Sequence, residues 1–295
     1  MQSVAILFRG RLGMTLSRYE RPGSIAEACA LLGGRDGSDT IRVLAGGTDL
    51  IGDMRAGRHA DCLVDIKRIP ELHEIRREPD GTLVIGSCVT MREVAEDERI
   101  RARYPALAKA AGEVGSYQVR CRATIAGNLS NASPCADSAP VLLVLNARLR
   151  VASPRGMSES PFEGFICDCK KTVLRPDEFL TAVVVPPAPD SLRSAFYKIR
   201  RIRGHDMAVL NAAGAFDPAS REVRLAIGSA APIPLRIPGL DGACPPGTTV
   251  EDLARRLATQ ALTHIRPIND IRASAEYRGD MTALLCRKIA VALLA

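Results

Sequence analysis

Tryptophan is missing from this chain of 295 residues, and tyrosine and phenylalanine number only five and six. Few ring faces are available to stack unpaired bases, so a nucleic acid is not an expected partner. The formal net charge of +7 could attract an acidic surface. Its densest cluster, Lys198 to Arg203, instead alternates with Ile199 and Ile202 roughly as a half-buried strand with a solvated face would. Long hydrophobic runs are missing too. Nothing approaches the ~20 apolar residues that span a bilayer, and Val4 to Phe8 falls short of a secretory core of about 7 to 15 residues. No transmembrane segment is expected. The reading is a cytoplasmic protein, with Met14 a second candidate start and residues 1–13 an N-terminal extension.

Nine cysteines form an odd set with no disulfide-like regularity and no Cys-x-x-Cys pair. Reduced thiols fit this best. Cys167 and Cys169 are the only close pair, and metal or cluster ligation by them is not expected. His59, His73, His205 and His264 show no helical metal-ligand spacing, so no metal site is expected in the chain. A Gly-x-Gly-x-x-Gly turn after a strand is absent, which argues against an ordinary dinucleotide-binding sheet. So is Gly-x-x-x-x-Gly-Lys-Ser/Thr, the mark of nucleotide hydrolysis. Apolar content of 46% and charged content of 25% are those of a globular chain, here long enough for two units with their own cores.

What the chain does contain is a stretch of small and hydroxyl-bearing residues, TIAGNLSNASPCADSAP from Thr124 to Pro140, built around Asn128 and Asp137. It reads as a loop that wraps a ligand. A second small-residue turn, AGGTDL from Ala45 to Leu50, follows the apolar run Ile41 to Leu44, which predicts a strand delivering it. Gly46 and Gly47 can take positive φ and let main-chain N–H groups converge on an oxyanion, while Thr48 adds a hydroxyl and Asp49 an acceptor. Neither segment contains lysine, so a pyrophosphate would be held by backbone donors and hydroxyls. Alternatives stay open at each point. AGGTDL also fits a plain strand-to-helix turn, Asn128 a turn residue, and Asp137 an N-cap on a helix from Val141 to Leu145 whose dipole would help hold an anion.

Around these segments, Ser24 with Glu27 predicts a capped helix over Ile25 to Leu32, stopped by Gly33-Gly34. Asp49 to Ala56 reads as a helix and Leu63 to Ile66 as a strand, while Pro79-Asp80-Gly81 should join strands Glu74 to Glu78 and Thr82 to Gly86. Thr90 and Glu93 repeat the capping-box spacing, with helices to about Gly112 and strands at Arg148 to Ala152 and Glu178 to Val185. Pro186 to Pro189 is the best boundary, separating residues 14–188, with lobes of about 14–70 and 71–188, from residues 189–295. Beyond it, Ala195 to Ile199, Val209 to Phe216 and Val223 to Gly228 read as an antiparallel meander, followed by helices Thr249 to Thr263 and Tyr277 to Leu294.

AGGTDLIGDMR (Ala45 to Arg55), LVDIKRIPEL (Leu63 to Leu72), QVRCRATIAGNLSNASPCADSAP (Gln118 to Pro140), FYKIRR with Asp206 beyond it, and DIRASAEYR (Asp270 to Arg278) together resemble the FAD-binding medium subunit of the molybdenum hydroxylases. That family contains xanthine dehydrogenase, carbon monoxide dehydrogenase medium chain and 4-hydroxybenzoyl-CoA reductase beta subunit. The resemblance implies an α+β fold: a two-lobed PCMH-type, vanillyl-alcohol-oxidase-like FAD-binding domain and a C-terminal domain with a three-stranded antiparallel sheet and helices. It implies that Ala45, Gly46, Gly47, Thr48, Asp49, Leu50 and Thr124 contact the pyrophosphate and nearby ribose. Asn128 and Asp137 would fix the second loop, with Gly127 in that loop and Asn131 facing the cofactor. Val114, Gly115, Leu180 and Lys198 match further cofactor-proximal positions, although Lys198 also fits an exposed lysine on a basic strand. No catalytic residue is expected, because a bound flavin carries the redox chemistry itself. No histidine lies in either loop, so noncovalent FAD is expected. The molybdenum cofactor and [2Fe-2S] clusters would sit on a large and a small partner subunit, in a dimer of heterotrimers. The rival readings are a self-sufficient FAD-dependent oxidoreductase with the C-terminal domain as substrate cap, and a nonenzymatic flavin-binding module.

Overall fold

The computed structural model describes residues 16–34, 40–202, 204, 206–240 and 244–295. The extension expected over residues 1–13, the candidate start Met14, Arg203 and His205 lie outside them. The chain opens with β1 (Arg18–Glu20), α1 (Ile25–Gly33), β2 (Ile41–Leu44), α2 (Leu50–Arg55) and β3 (Cys62–Asp65). β3 lies between β1 and β2 and pairs with both in parallel. Parallel neighbours cannot be joined by a tight hairpin, and the helical segments α1 and α2 provide the connections. Ser24 caps α1 by accepting from the Glu27 N–H at 3.2 Å. The Glu27 carboxylate, however, accepts from the Gly23 N–H at 2.7 Å rather than from Ser24, so the expected reciprocal box closes one residue early.

The second lobe comprises β4 (Ile75–Arg77), β5 (Leu83–Gly86), α3 (Met91–Glu96), α4 (Glu98–Arg103), α5 (Pro105–Gly112), α6 (Tyr117–Arg120), α7 (Ile125–Ser130), α8 (Ser138–Val144), β6 (Arg148–Ser153), β7 (Gly156–Pro161), the hairpin β8 (Ile166–Asp168) and β9 (Lys171–Thr172), and β10 (Phe179–Val185). An antiparallel sheet runs in the order β4-β5-β10-β6-β7. β10 is its central strand and is buried throughout, hence its unbroken apolar run. At α3 the capping box is complete: the Glu93 N–H donates to Thr90 Oγ1 (3.2 Å) and the Thr90 N–H to Glu93 Oε2 (2.8 Å).

The segment expected as one long loop is largely helical. Thr124 caps α7, its Oγ1 accepting from the Gly127 N–H at 3.1 Å. Gly127, Asn128 and Ser130 are poor helix formers, but burial of Ile125, Ala126 and Leu129 in the core outweighs propensity over so short a span. The next helix begins at Ser138, three residues before the expected Val141, and Pro140 sits in its first turn where no N–H is needed.

The last unit is the antiparallel meander β11 (Arg193–Ile199), β12 (Leu210–Asp217) and β13 (Glu222–Gly228), extended at its edge by a short β14 (Leu235–Arg236) and followed by α9 (Val250–His264) and α10 (Ala275–Leu294). β12 is buried on both faces. Leu210, Ala212 and Phe216 join the core beneath α9 and α10, while Ala213 and Ala215 join the core of the second lobe. The small side chains permit this close sandwich. A Cβ on Gly214 would lie 2.3 Å from Ile289 Cγ2, so only glycine lets α10 approach there. Arg278, buried in α10, fastens the helix by donating to Val209 O (3.1 Å) and to Asp270 Oδ1 (2.8 Å), which is what the DIRASAEYR segment accomplishes structurally. Among the described residues no helix is long and apolar enough to cross a membrane.

Candidate cofactor cleft

Between the two lobes opens a cleft of about 300 Å³. β2 delivers the turn Ala45 to Asp49 to one wall. Of its two glycines only Gly47 takes positive φ (73°). Gly46 serves a different end: a Cβ there would lie 2.0 Å from Arg122 O, so the glycine lets the first lobe's turn rest directly on the backbone leading into α7. The turn is braced from behind by Lys67, whose Nζ donates to Ala45 O (3.1 Å) and lies 2.7 Å from Asp65 Oδ1. Burial alone would raise the Asp65 carboxyl, but hydrogen bonds from Lys67 and Tyr19 outweigh it and hold the group below the ordinary range. Tyr19, half-buried and donating to that carboxylate, is pushed up to about 12.

The opposite wall is α7 with the residues that follow it. Asn128 Oδ1 accepts from Ser138 Oγ at 2.7 Å and ties α7 to α8. Asn131 crosses the cleft, its Nδ2 donating to Asp49 Oδ1 at 3.0 Å, while its Oδ1 accepts from Lys170 Nζ at 2.8 Å. Bonds across 82 and 39 residues thus join the two small-residue segments and the β8–β9 hairpin. The third wall is the start of β10, where a bulge between Leu180 and Ala182 interrupts pairing with β6. Beside it Ser87 is buried, its Oγ without a hydrogen-bond partner other than the adjacent Cys88 thiol.

Ala45 through Leu50, Val114, Thr124, Gly127, Asn128, Asn131 and Leu180 all line this cleft, as the positions predicted from the sequence. Gly115, Asp137 and Lys198 do not. Gly115 faces away from Val114, into a separate groove beside Glu113, Arg120 and Arg200. Lys198 is neither at the cleft wall nor solvent-exposed: its side chain is 2% accessible, and Nζ donates to Asp137 Oδ2 (2.7 Å) and Glu113 O (2.9 Å). Asp137 makes no capping bond to α8 and accepts instead from Lys198 and from Asn211 Nδ2 (2.9 Å). Burial pushes its carboxyl upward, against the pull of those two donors. Among the lining residues that sequence reasoning did not single out are Arg42, Val43, Ser87, Leu174, Glu178 and Phe179. Of these only Ser87 carried a signal, standing in the small-residue stretch Gly86-Ser87-Cys88 directly after a strand.

Glycine-turn N–H groups, the Thr48 hydroxyl, the buried Ser87 hydroxyl and the apolar Val43, Ile66, Phe179 and Leu180 suit a long ligand with an anionic middle and flat ring systems. The donor set therefore fits a dinucleotide. The family comparison names which one. The FAD binding domain in molybdopterin dehydrogenase matches residues 13–188, and the CO dehydrogenase flavoprotein C-terminal domain matches residues 195–293. The chain belongs to this family of FAD-binding subunits. It is 32% identical over 282 residues to the xanthine dehydrogenase FAD-binding subunit of Escherichia coli O157:H7, covering 92% of this chain and 94% of that one. Identity to the carbon monoxide dehydrogenase medium chain of Hydrogenophaga pseudoflava is 30% over 274 residues, with 92% and 94% covered. The solved carbon monoxide dehydrogenase from that organism superposes with a TM-score of 0.86 over 94% of this chain and 96% of that one, at 30% identity. The chain is accordingly an FAD-binding oxidoreductase subunit of the molybdenum hydroxylase type.

Proposed function

We propose that this chain is the electron-transfer subunit of a heteromeric molybdenum hydroxylase. The cleft between the lobes would hold FAD noncovalently, placing this chain between the iron–sulfur clusters of a small partner subunit and an external electron acceptor. A large partner subunit carries the molybdenum cofactor and oxidises the substrate, and the whole is a dimer of heterotrimers in the cytoplasm. The observation that carries this reading is the cleft itself: two distant small-residue segments joined by the Asn131 to Asp49 hydrogen bond, with the Ser87 hydroxyl buried in the wall and bonded to no more than the neighbouring Cys88 thiol.

The chemistry the flavin supplies when bound is reversible uptake of one or two electrons. Ala45 through Asp49 with Thr124, Gly127 and Asn128 would hold the diphosphate and ribityl region. Leu50, Val114 and Leu180 would pack against the rings and keep water from them. Asn131 would close the segment over the ligand. Asp137 and Lys198 act from behind, and Gly115 gives the turn after α5 the positive φ (50°) that aims Val114 inward. Among the described residues lining the cleft there is no His or Cys, which supports noncovalent attachment.

The test is purification of the chain with and without its companion subunits. The chain alone should carry the absorption bands of oxidised flavin, released intact by denaturation, and should not be bleached by any substrate of the complex. Bleaching should appear once the companions are added. A protein that stays colourless on reconstitution with FAD, even alongside the companions, overturns the reading.

A further inference from the structure

Lys170 occupies the tip of the β8–β9 hairpin with φ at +61°, a left-handed conformation that suits glycine or asparagine better than lysine. Its N–H is fixed on Ala132 O at 2.9 Å, one residue past Asn131. The ammonium is spent on a neutral acceptor, Asn131 Oδ1, and among the described residues it has no carboxylate partner. One carboxylate of the hairpin and two of the cleft wall lie beside other cations. Asp168 lies 3.6 Å from Lys171, Glu178 is paired with Arg155 at 2.9 Å and Asp53 with Arg58 at 3.2 Å. Asp49, at the cleft wall, has only the amide of Asn131 and no cation among the described residues.

A diphosphate beside the glycine turn would bring two further negative charges next to Asp49, with only neutral N–H and hydroxyl donors in the two segments to meet them. A cation within reach would strengthen that hold. Arg42 lines the cleft from β2; Lys170 stands just outside the lining but, among the described residues, is the cation seated on Asn131, which bridges the glycine turn and α7. We propose that Lys170 is the cation that binds the diphosphate of the flavin dinucleotide, exchanging Asn131 Oδ1 for a phosphate oxygen as the ligand enters. Its flexible stem allows the ammonium to swing while the backbone stays anchored on Ala132. The tip of the hairpin is then a clasp on the cofactor, which explains a strained lysine where a relaxed glycine would turn the chain equally well.

This rests on the reading that the cleft holds FAD, and the two can fail separately. The full chain, stripped of flavin, is titrated with FAD at low and high salt, following flavin fluorescence, for the wild type and for Lys170→Gly, Lys170→Gln and Lys170→Arg. Glycine relieves the backbone, so Lys170→Gly should melt at or above the wild-type temperature in the flavin-free state. It should nevertheless bind FAD about 10- to 100-fold more weakly at low salt, as should Lys170→Gln. Both should lose most of the salt dependence seen in the wild type, and Lys170→Arg should retain it. Wild-type affinity in Lys170→Gly, an unchanged salt dependence, or an equal loss in Lys170→Arg overturns the proposal. Failure of the wild type itself to bind FAD overturns the underlying reading instead.

Discussion

The segment from Asn131 to Asp137 is held at its two ends by opposite means. At Asn131 it is tied to the first lobe and to the hairpin by exposed hydrogen bonds, one to Asp49 and one from Lys170. At Asp137 it is tied to the C-terminal sheet by an ion pair with both side chains almost wholly buried, reinforced by Asn211. Water competes for each bond at the first end, so any one is worth little and can be traded for a bond to a ligand. At the second end both charges have left water, and neither partner can be withdrawn without stranding the other. Lys198 also donates to Glu113 O, next to the cleft residue Val114. One ammonium from β11 therefore fixes two parts of the cleft wall, and the C-terminal unit shapes a site it does not line.

Removing the ammonium should give the largest effect. Lys198→Met leaves the Asp137 carboxylate buried beside Asn211 alone, and a stability loss of about 3 to 5 kcal/mol is expected in urea unfolding of the flavin-free chain. Asp137→Asn in the same background should recover part of it, because the stranded charge is gone. A loss under about 1 kcal/mol would dissolve the contrast between the two ends. Gly46→Ala comes next. Its Cβ would meet Arg122 O at 2.0 Å, backbone against backbone, so the two lobes must part, at a cost of about 1 to 3 kcal/mol. Because the same contact sets the width of the cleft, retention of FAD through gel filtration should fall with it.

The exposed end was the more legible in the sequence, and the buried end the less. Small residues mark places where backbones approach or turn, so the glycine turn and the Thr124 segment announced themselves, as did the Thr90 to Glu93 box and the Pro79-Asp80-Gly81 turn, which depend on neighbours in sequence. Lys198 did not. Its surroundings in KIRRIR look like a solvated face, and only the covering of β11 and β12 by the second lobe buries its side chain. The helix α7 was hidden because its composition favours turns, while its stability comes from long-range burial. β7 was hidden for the opposite reason: all of GMSESP is exposed, so no alternation betrays a strand held only by pairing with β6. Bonds such as Asn131 to Asp49 span distances over which no sequence spacing is informative.

Acid provides a smaller perturbation on the glycine-turn side. The Asp65 carboxyl is held below its ordinary range in the folded state, so its contribution is fully present above the unfolded value of about 3.9 and fades as pH falls toward the folded one. Urea midpoints of the wild type and Asp65→Asn should therefore differ at neutral pH and converge below about pH 4. A difference that persists unchanged at pH 3 would mean that shape rather than charge at Asp65 braces Lys67 and the Ala45 carbonyl.

The smallest expected effect is the one that most sharpens the contrast. Asn131→Ala removes both bonds at the exposed end, yet each partner is left in contact with water, so the flavin-free protein should lose no more than about 0.5 to 1 kcal/mol. Affinity for FAD should respond differently, because the bridge holds the two cleft walls in register before the ligand arrives. Loss of that preorganisation should weaken binding roughly three- to tenfold, mainly through faster release. Measured side by side, unfolding by urea and FAD dissociation after dilution should separate stability from binding at Asn131 and move together at Lys198. If Asn131→Ala instead destabilises the empty chain as much as Lys198→Met does, the exposed bridge is a structural joint like the buried one, and the division of duties between the two ends does not hold.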